Sequence, residues 1–183
     1  MECNDVILSR YSVRKFLPDP VPQFVLTEML EAARLAPSTQ NKQPWRFIVL
    51  QNPDKIKSMA FNCGLIGLSN FFIRSAPCVV IACADTEQNV KINGQDYYLV
   101  DTAIAFQQMM LIAWSHGVGS CWLGAFSEKR LKPWLGISDN WRIVALSPFG
   151  YPAEKQGLYA KVVKAFAGSK DRLPLDKIVR YLD

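Results

Sequence analysis

The sequence predicts an α+β sandwich built by a single domain that spans residues 1–183. Helical patterns stand near both ends of the chain, and strand patterns alternate with helices between them. The segment Pro77–Ala84 is apolar throughout, so we expect a central strand with both faces covered by helices. A doubly wound parallel fold is disfavoured, because the glycine pattern G-x-G-x-x-G of dinucleotide-binding folds is absent.

The first two helices are predicted from a capping residue and from an apolar period. Asn4 can cap a short helix that ends near Ser9. The segment Phe24–Ala36 repeats apolar residues along one helical face, which consists of Leu26, Met29, Leu30 and Ala33. This helix should end before Pro37, because the residue that precedes a proline disfavours helical dihedral angles.

The remaining short elements follow from apolar runs and from capping signals. Strands are predicted at Arg46–Leu50, Pro77–Ala84, Val118–Leu123 and Trp141–Ser147. A helix is predicted at Pro53–Ala60, and Ser127 is the expected N-cap of another helix that ends at Leu135.

The longest predicted helix, Tyr97–Ser115, is apolar on nearly every face. Such a helix is buried within its own domain or against a partner subunit. The tail that follows Tyr159 is basic and then carries spaced apolar residues, namely Leu175, Ile178, Val179 and Leu182. Both features indicate a surface that another copy of the chain would cover.

The charge and the apolar stretches of the sequence limit the kinds of partner that the protein is expected to bind. The formal net charge is +5, but the basic residues are scattered and carry no recognition motif, so we expect no nucleic-acid partner. An anionic small molecule remains open. We expect no membrane partner and a cytoplasmic location, because no apolar stretch could span a bilayer and the N-terminus lacks the pattern of a signal peptide.

Cysteine and histidine usage argues against several chemistries. The five cysteines form no C-x-x-C pair, so we expect neither a disulfide framework nor a zinc site. His116 is the only histidine, and its place before Gly117 suits a helix end where the imidazole bonds the last carbonyls. Cys121 has no neighbouring cation in the sequence that would activate it.

Two segments could bind an anion. Arg10 and Arg14 flank the hydroxyl of Ser12, and guanidinium forks match phosphate oxygens. Lys170 and Arg172 form a second basic pair near the end of the chain. Taken alone, each segment is more typical of a solvated, charged turn.

Two further segments suit a flat polar ligand. The loop Pro37–Trp45 is rich in hydroxyl and amide side chains and is bracketed by prolines. In the segment Gly117–Gly124, glycines allow a ligand to approach the backbone closely. The alternatives are an ordinary helix-to-strand loop and a bulged strand.

Six motifs, in order along nearly the whole chain, resemble the short form of the nitroreductase family of FMN-dependent oxidoreductases. They are R-x-S-x-R-x-F, L-x-x-A-R-L-A-P-S, N-x-Q-P-W-R-F, G-x-G-S-C-W-x-G, G-Y-P-A-E-K and K-x-R-x-P-L-x-x-I-V. The resemblance implies a nitroreductase-like fold, with a central, mostly antiparallel sheet covered by helices in a domain-swapped homodimer. The segment 156–167 departs from many short members of the family.

The resemblance also implies which residues bind FMN. The first segment would supply Arg10, Tyr11, Ser12 and Arg14, and the second basic pair would supply Lys170 and Arg172. The loop that reaches the flavin of the opposite subunit would supply Pro37, Ser38, Thr39, Asn41 and Gln43. Asn70 would bond the isoalloxazine ring, and the backbone of Trp122, Leu123 and Gly124 would lie along it.

The activity that the resemblance implies is a ping-pong transfer of hydride from NADH or NADPH to FMN and then to an acceptor such as a nitroaromatic or a quinone. No side chain is expected to act as a catalytic acid or base, since the flavin carries the chemistry. We expect Arg14 to stabilise the negative charge of the reduced flavin. The tail 173–183 is expected to pack on the partner subunit.

Two alternatives stay open. A specialised relative would use the same flavin for reductive dehalogenation or for flavin cleavage. A protein of a different class would bind the flavin as a store or sensor, without physiological turnover.

Overall fold

A computed structural model of the chain describes residues 1–63, 71–153 and 172–182. The helices are α1 (Cys3–Ser9), α2 (Gln23–Arg34), α3 (Pro53–Cys63), α4 (Tyr97–Ser115) and α5 (Glu128–Leu135). The strands are β1 (Trp45–Leu50), β2 (Cys78–Asp85), β3 (Lys91–Ile92), β4 (Gln95–Asp96), β5 (Gly119–Ser120) and β6 (Trp141–Gly150). All of these elements belong to the first of two compact units, Met1–Ala153 and Glu154–Asp183.

The main sheet has four strands in the order β1-β2-β6-β5, and each neighbouring pair is antiparallel. The strands β3 and β4 form a separate small hairpin. Its turn uses Asn93 and Gly94, both with positive φ, as a two-residue hairpin turn requires. The predicted α+β class is therefore confirmed, although this hairpin was not expected from the sequence.

Strand β2 is buried at all eight positions, as its continuous apolar pattern predicted. Its side chains alternate between two hydrophobic clusters. Cys78, Val80 and Ala82 pack in one cluster with α2 and α4, whereas Val79, Ile81 and Cys83 pack in the other with α3 and α5. Helices thus cover both faces of the sheet at its centre.

The strand predicted at Val118–Leu123 is much shorter than expected, because only Gly119 and Ser120 pair as strand β5. The next amide, that of Cys121, donates to the side-chain Oγ of Ser147 at 3.1 Å and not to a backbone carbonyl. The chain therefore leaves the ladder at Cys121. It returns for one isolated pair between Leu123 and Leu146.

Helix ends also differ from the expected caps. Helix α1 begins at Cys3 with Glu2 as its N-cap, so Asn4 lies inside the first turn and does not cap the helix. Ser127 occupies the N-cap position of α5 as predicted, but its side chain makes no capping hydrogen bond. The end of α2 at Arg34 places the helix boundary two residues earlier than expected.

In the second unit the structure describes residues 172–182, which contain a short 3₁₀ turn at Leu175–Lys177. All eleven residues are exposed in the isolated chain, including several large apolar side chains. The most exposed are Leu173, Leu175, Ile178, Tyr181 and Leu182. The description of 1–183 as one domain stays a prediction.

No helix among the described residues is long and apolar enough to cross a membrane.

Replacement of Gly119 by alanine should destabilise the fold. A Cβ atom at this position would lie 2.4 Å from Cγ2 and 2.9 Å from Cβ of buried Val13. Overpacking of this kind costs about 1–3 kcal/mol. Urea unfolding should report a loss of that size in the free energy of unfolding.

Gly124→Ala is the matched control, since a Cβ at Gly124 meets nothing within 4 Å. Equal stability of the two variants would show that Val13 moves aside freely and would contradict the close-packing interpretation.

Candidate functional site

The segment after α1 runs beside strand β5. Arg10 ends α1, and its amide donates to the carbonyl of Val6 at 3.1 Å. Two residues later, Ser12 forms a parallel bridge with Ser120, and the amide of Val13 donates to the Ser120 carbonyl at 2.9 Å. The first predicted motif and the glycine-rich motif are therefore neighbours in the fold.

This pairing places cations beside Cys121, contrary to what the sequence indicated. Burial raises the pKa of the Cys121 thiol, whereas the charges of Arg14 and Arg10 and the nearby Ser12 side chain lower it. Burial has the larger effect, so the pKa of Cys121 is nevertheless raised above its ordinary value. The thiol is held protonated at neutral pH and is a poor nucleophile.

The two arginines of this segment are available to an anion. The side chains of Arg10 and Arg14 are half-buried. In the part of the chain that the structure describes, neither makes an ion pair with a carboxylate. A pair of half-desolvated cations that flank a hydroxyl is a suitable arrangement for a phosphate group.

The backbone next to these cations is open on one side. Trp122 is 38% exposed, and its ring contacts that of Phe106 at 5.2 Å between centroids. Leu123 is fixed by two backbone hydrogen bonds with Leu146, at 2.9 and 3.1 Å. A Cβ at Gly124 would meet nothing within 4 Å, so the backbone is open to an approaching group at this glycine.

Tyr11 points toward the C-terminal end of α4. Its ring packs edge-on against Trp114 at 5.1 Å, and the indole Nε1 of Trp114 donates to the hydroxyl of Ser9 at 2.8 Å. These contacts fix the Arg10–Arg14 segment to the last turn of the long helix.

The polar loop between α2 and β1 has an unusual backbone. Gln40, Asn41 and Gln43 all have φ between 48° and 56°, the left-handed region that favours glycine. Each such residue costs about 1–2 kcal/mol when it is not glycine, although asparagine tolerates the region better. Tertiary contacts must therefore hold this loop in place.

Internal hydrogen bonds brace the strained loop. The amide of Gln43 donates to the hydroxyl of Ser38 at 2.9 Å, and its side-chain Nε2 donates to the backbone and side-chain oxygens of Asn41. Pro37 is exposed at the start of the loop. At the end of the loop Arg46 donates to the carbonyl of Gln43 at 3.1 Å.

A buried carboxylate anchors the loop, and sequence reasoning missed it. Asp101 is 4% exposed, and its Oδ1 accepts hydrogen bonds from the amide and the hydroxyl of Thr39, each at 3.0 Å. The available signal was that Asp101 is the only charged residue within the apolar helix α4. A buried charge in such a setting needs hydrogen-bond partners.

The two halves of the predicted site lie at opposite ends of α4. The Arg10–Arg14 segment meets the helix at Trp114, whereas the polar loop meets it at Asp101. At 1.5 Å per residue, these positions are about 20 Å apart along the helix axis. Within one copy of the chain, the two halves are thus anchored at different turns of α4.

Three other predicted site residues cannot be placed against these halves. Asn70 and Lys170 lie outside the described residues, and so does the segment 156–167. Arg172 is exposed at the start of the described part of the second unit. Within the described ranges, no cluster of three or more metal-ligating side chains occurs.

His116 caps the C-terminal end of α4 by position, as predicted. Its side chain, however, does not bond the last helical carbonyls. Its Nε2 lies 2.7 Å from a carboxylate oxygen of Glu28 on α2, and its ring packs against Phe24. The histidine thus ties two helices together.

The cysteines of strand β2 are equally inert. Burial raises the pKa of Cys78 and of Cys83 to about 12. Cys3, Cys78, Cys83 and Cys121 are free thiols in the structure. No disulfide therefore joins any of these four residues.

Comparisons with known proteins agree with this fold. The model of the nitroreductase family matches residues 7–62 and 66–151. A relative from Archaeoglobus fulgidus, whose name combines NADH dehydrogenase with NAD(P)H nitroreductase, is 30% identical over 164 residues, covering 86% of this chain and 90% of its own.

Two solved structures are also similar. A nitroreductase family protein from Clostridium novyi NT has a TM-score of 0.79 and 34% identity, covering 84% of this chain and 87% of its own. An FMN-dependent nitroreductase from Clostridium difficile R20291 has a TM-score of 0.74 and 25% identity, covering 84% and 89%.

The antiparallel sheet with helices on both faces defines an α+β fold. The family model and the names of these relatives support a general oxidoreductase role. The chain belongs to the nitroreductase family.

Proposed function

We propose that this protein is an FMN-dependent oxidoreductase that transfers hydride from NADH or NADPH to FMN and then, in a ping-pong cycle, to a nitroaromatic, a quinone or a similar acceptor. The observation that carries the proposal is the pair of half-buried arginines without a carboxylate partner among the described residues, next to open backbone at Gly124. A related family member from Clostridium difficile R20291 is FMN-dependent by name.

The residues at this place fit FMN. Arg10 and Arg14 would hold negative charge on the cofactor, and Ser12 would add a neutral donor. The Trp122–Gly124 backbone would lie along the flat ring, where the missing side chain of Gly124 leaves room. When bound, the flavin supplies the hydride and electron chemistry.

The chain itself would bind and orient, and it would supply no catalytic acid or base. His116 is bonded to Glu28, and the Cys121 thiol stays protonated through burial. Hydride transfer depends on stacking and orientation and needs no proton abstraction by a side chain. Arg14 would favour the negatively charged, reduced cofactor through its fixed positive charge.

Two copies of the chain would complete each site. The Arg10–Arg14 segment and the Ser38–Gln43 loop are separated by about 20 Å along α4. A symmetric homodimer could place the loop of one subunit against the arginine segment of the other. We therefore propose a homodimer with a site at each of two equivalent junctions.

Exposed apolar surface supports this dimer. Leu99, Val100 and Ile104 on α4 are 46%, 43% and 38% exposed in the isolated chain. An apolar groove of about 240 Å³ lies between α1 and the last turns of α4. Burial of these surfaces would be favourable by about 25 cal/mol for each Å².

The C-terminal tail supports a dimer in which each subunit packs its tail on its partner. Residues 172–182 carry several exposed apolar side chains, and strand β1 pairs only with β2 among the described strands. An unpaired strand edge is a natural place for another chain segment. We propose that the tail 173–183 packs on the partner subunit.

The purified protein should show the absorption of oxidised flavin. NADH or NADPH should bleach that absorption within the time of turnover, and a quinone or nitroaromatic should restore it. A flavin that neither nicotinamide reduces would indicate a store or sensor. A steep, salt-dependent affinity for DNA or RNA without flavin would indicate a nucleic-acid-binding module.

Arg10→Ala should weaken FMN binding by about ten- to a hundredfold, because a hydrogen bond to a charged group contributes about 1.5–3 kcal/mol. Arg130→Ala on α5 is the matched control and should leave the FMN dissociation constant unchanged. Titration of the apoprotein by flavin fluorescence measures both. Equal affinities of the wild type for riboflavin and FMN would remove the phosphate role of Arg10.

Sedimentation should give a mass near twice 20.7 kDa at low protein concentration. The reason is that a second copy would cover the exposed face of α4 and complete the site that the proposal divides between two chains. A flavin-loaded monomer would contradict the two-chain site.

A further inference from the structure

The polar loop is anchored by a charged residue that is buried in apolar surroundings. Asp101 lies in the apolar helix α4 and is 4% exposed. Its Oδ1 accepts both hydrogen bonds that Thr39 can donate, from the amide and from the hydroxyl. A neutral or apolar residue at this position would avoid the cost of burying a carboxylate.

The loop that Asp101 anchors is strained where it offers polar groups. Thr39 directly precedes the left-handed residues Gln40 and Asn41. The side chains of residues 40–43 are exposed, so packing does not hold them. Within the described residues, the hydrogen bonds of Thr39 are the only ones from the loop to α4.

We propose that Asp101 is a positioning residue for the cofactor: it fixes the start of the Thr39–Gln43 loop so that Asn41 and its neighbours meet the flavin of the partner subunit in a preformed conformation. This inference rests on the proposed function for the cofactor itself. The carboxylate acts through Thr39 and touches no ligand. It offsets the backbone strain before the cofactor arrives, which lowers the ordering cost of binding.

The test measures FMN affinity and loop order independently of turnover. In Asp101→Ala, the FMN dissociation constant should rise about ten- to a hundredfold, since two hydrogen bonds to a charged acceptor are lost. Amide hydrogen exchange of residues 39–43 in the apoprotein should accelerate in the same variant. Sedimentation checks that the variant keeps the oligomeric state of the wild type.

Glu128→Ala is the matched control. Glu128 also accepts hydrogen bonds from a backbone amide, that of Ile143 at 2.9 Å, and from a side chain, that of Arg142 at 3.0 Å. It lies on α5, on the other side of the sheet from α4. Its loss should lower stability but change FMN affinity by less than about threefold and leave exchange in the loop unchanged.

Thr39 variants keep the test decisive if Asp101→Ala does not fold. Thr39→Val removes only the hydrogen bond from the hydroxyl and should raise the FMN dissociation constant severalfold. Thr39→Ser keeps the hydroxyl and should retain the wild-type dissociation constant. Wild-type affinity and wild-type loop exchange in Asp101→Ala would overturn the inference, and if that variant does not fold, the same result in Thr39→Val would overturn it. So would an equal loss of affinity in Glu128→Ala.

Failure of the proposed function gives a different result. A wild-type protein that binds no FMN would refute the cofactor assignment, while hydrogen exchange in the loop would still show whether Asp101 orders it.

Discussion

The complete burial of strand β2 is the constraint on which the rest of the fold depends. Val79, Val80 and Ile81 are fully excluded from solvent, and each such side chain contributes about 1.5–3 kcal/mol. Because successive side chains point to opposite faces, both faces of the strand need apolar partners. Helices α2 and α4 provide them on one face, and α3 and α5 on the other. The candidate site residues therefore lie at the sheet edges and in the loops beside them.

Helix α4 follows from this constraint and sets the geometry of the site. One of its faces fills the core with residues such as Phe106 and Met109, while Leu99, Val100 and Ile104 remain exposed. Its two ends hold different parts of the candidate site, through Trp114 and through Asp101. The length of the helix therefore keeps these parts about 20 Å apart in one chain. In the proposed homodimer, a second copy would supply the missing part of each site.

Strong local patterns predicted their elements well, and weak ones did not. The helix Tyr97–Ser115 was predicted with its observed bounds, because apolar residues recur at helical spacing along its whole length. Of the predicted strand Val118–Leu123 only β5 is observed, because the amide of Cys121 donates to the hydroxyl of Ser147 and not to a neighbouring strand's backbone. Asn4 was expected at the N-cap position, which Glu2 occupies instead. The end of a short helix can differ by one or two residues from the expected one. A choice between neighbouring hydrogen-bond partners cannot be read from the local sequence pattern.

The sequence by itself determined which chemical groups are present and in what order, including the arginines around Ser12 and the polar loop before Trp45. Only the tertiary structure decided their neighbours. Arg14 acts on the Cys121 thiol, and Thr39 is held by Asp101, which lies 62 positions further along the chain. Local periodicity reports how a segment folds on itself, whereas contacts between distant segments arise when the core brings their elements together. The contact between the strained loop and the buried carboxylate is therefore a product of packing that no local pattern encodes.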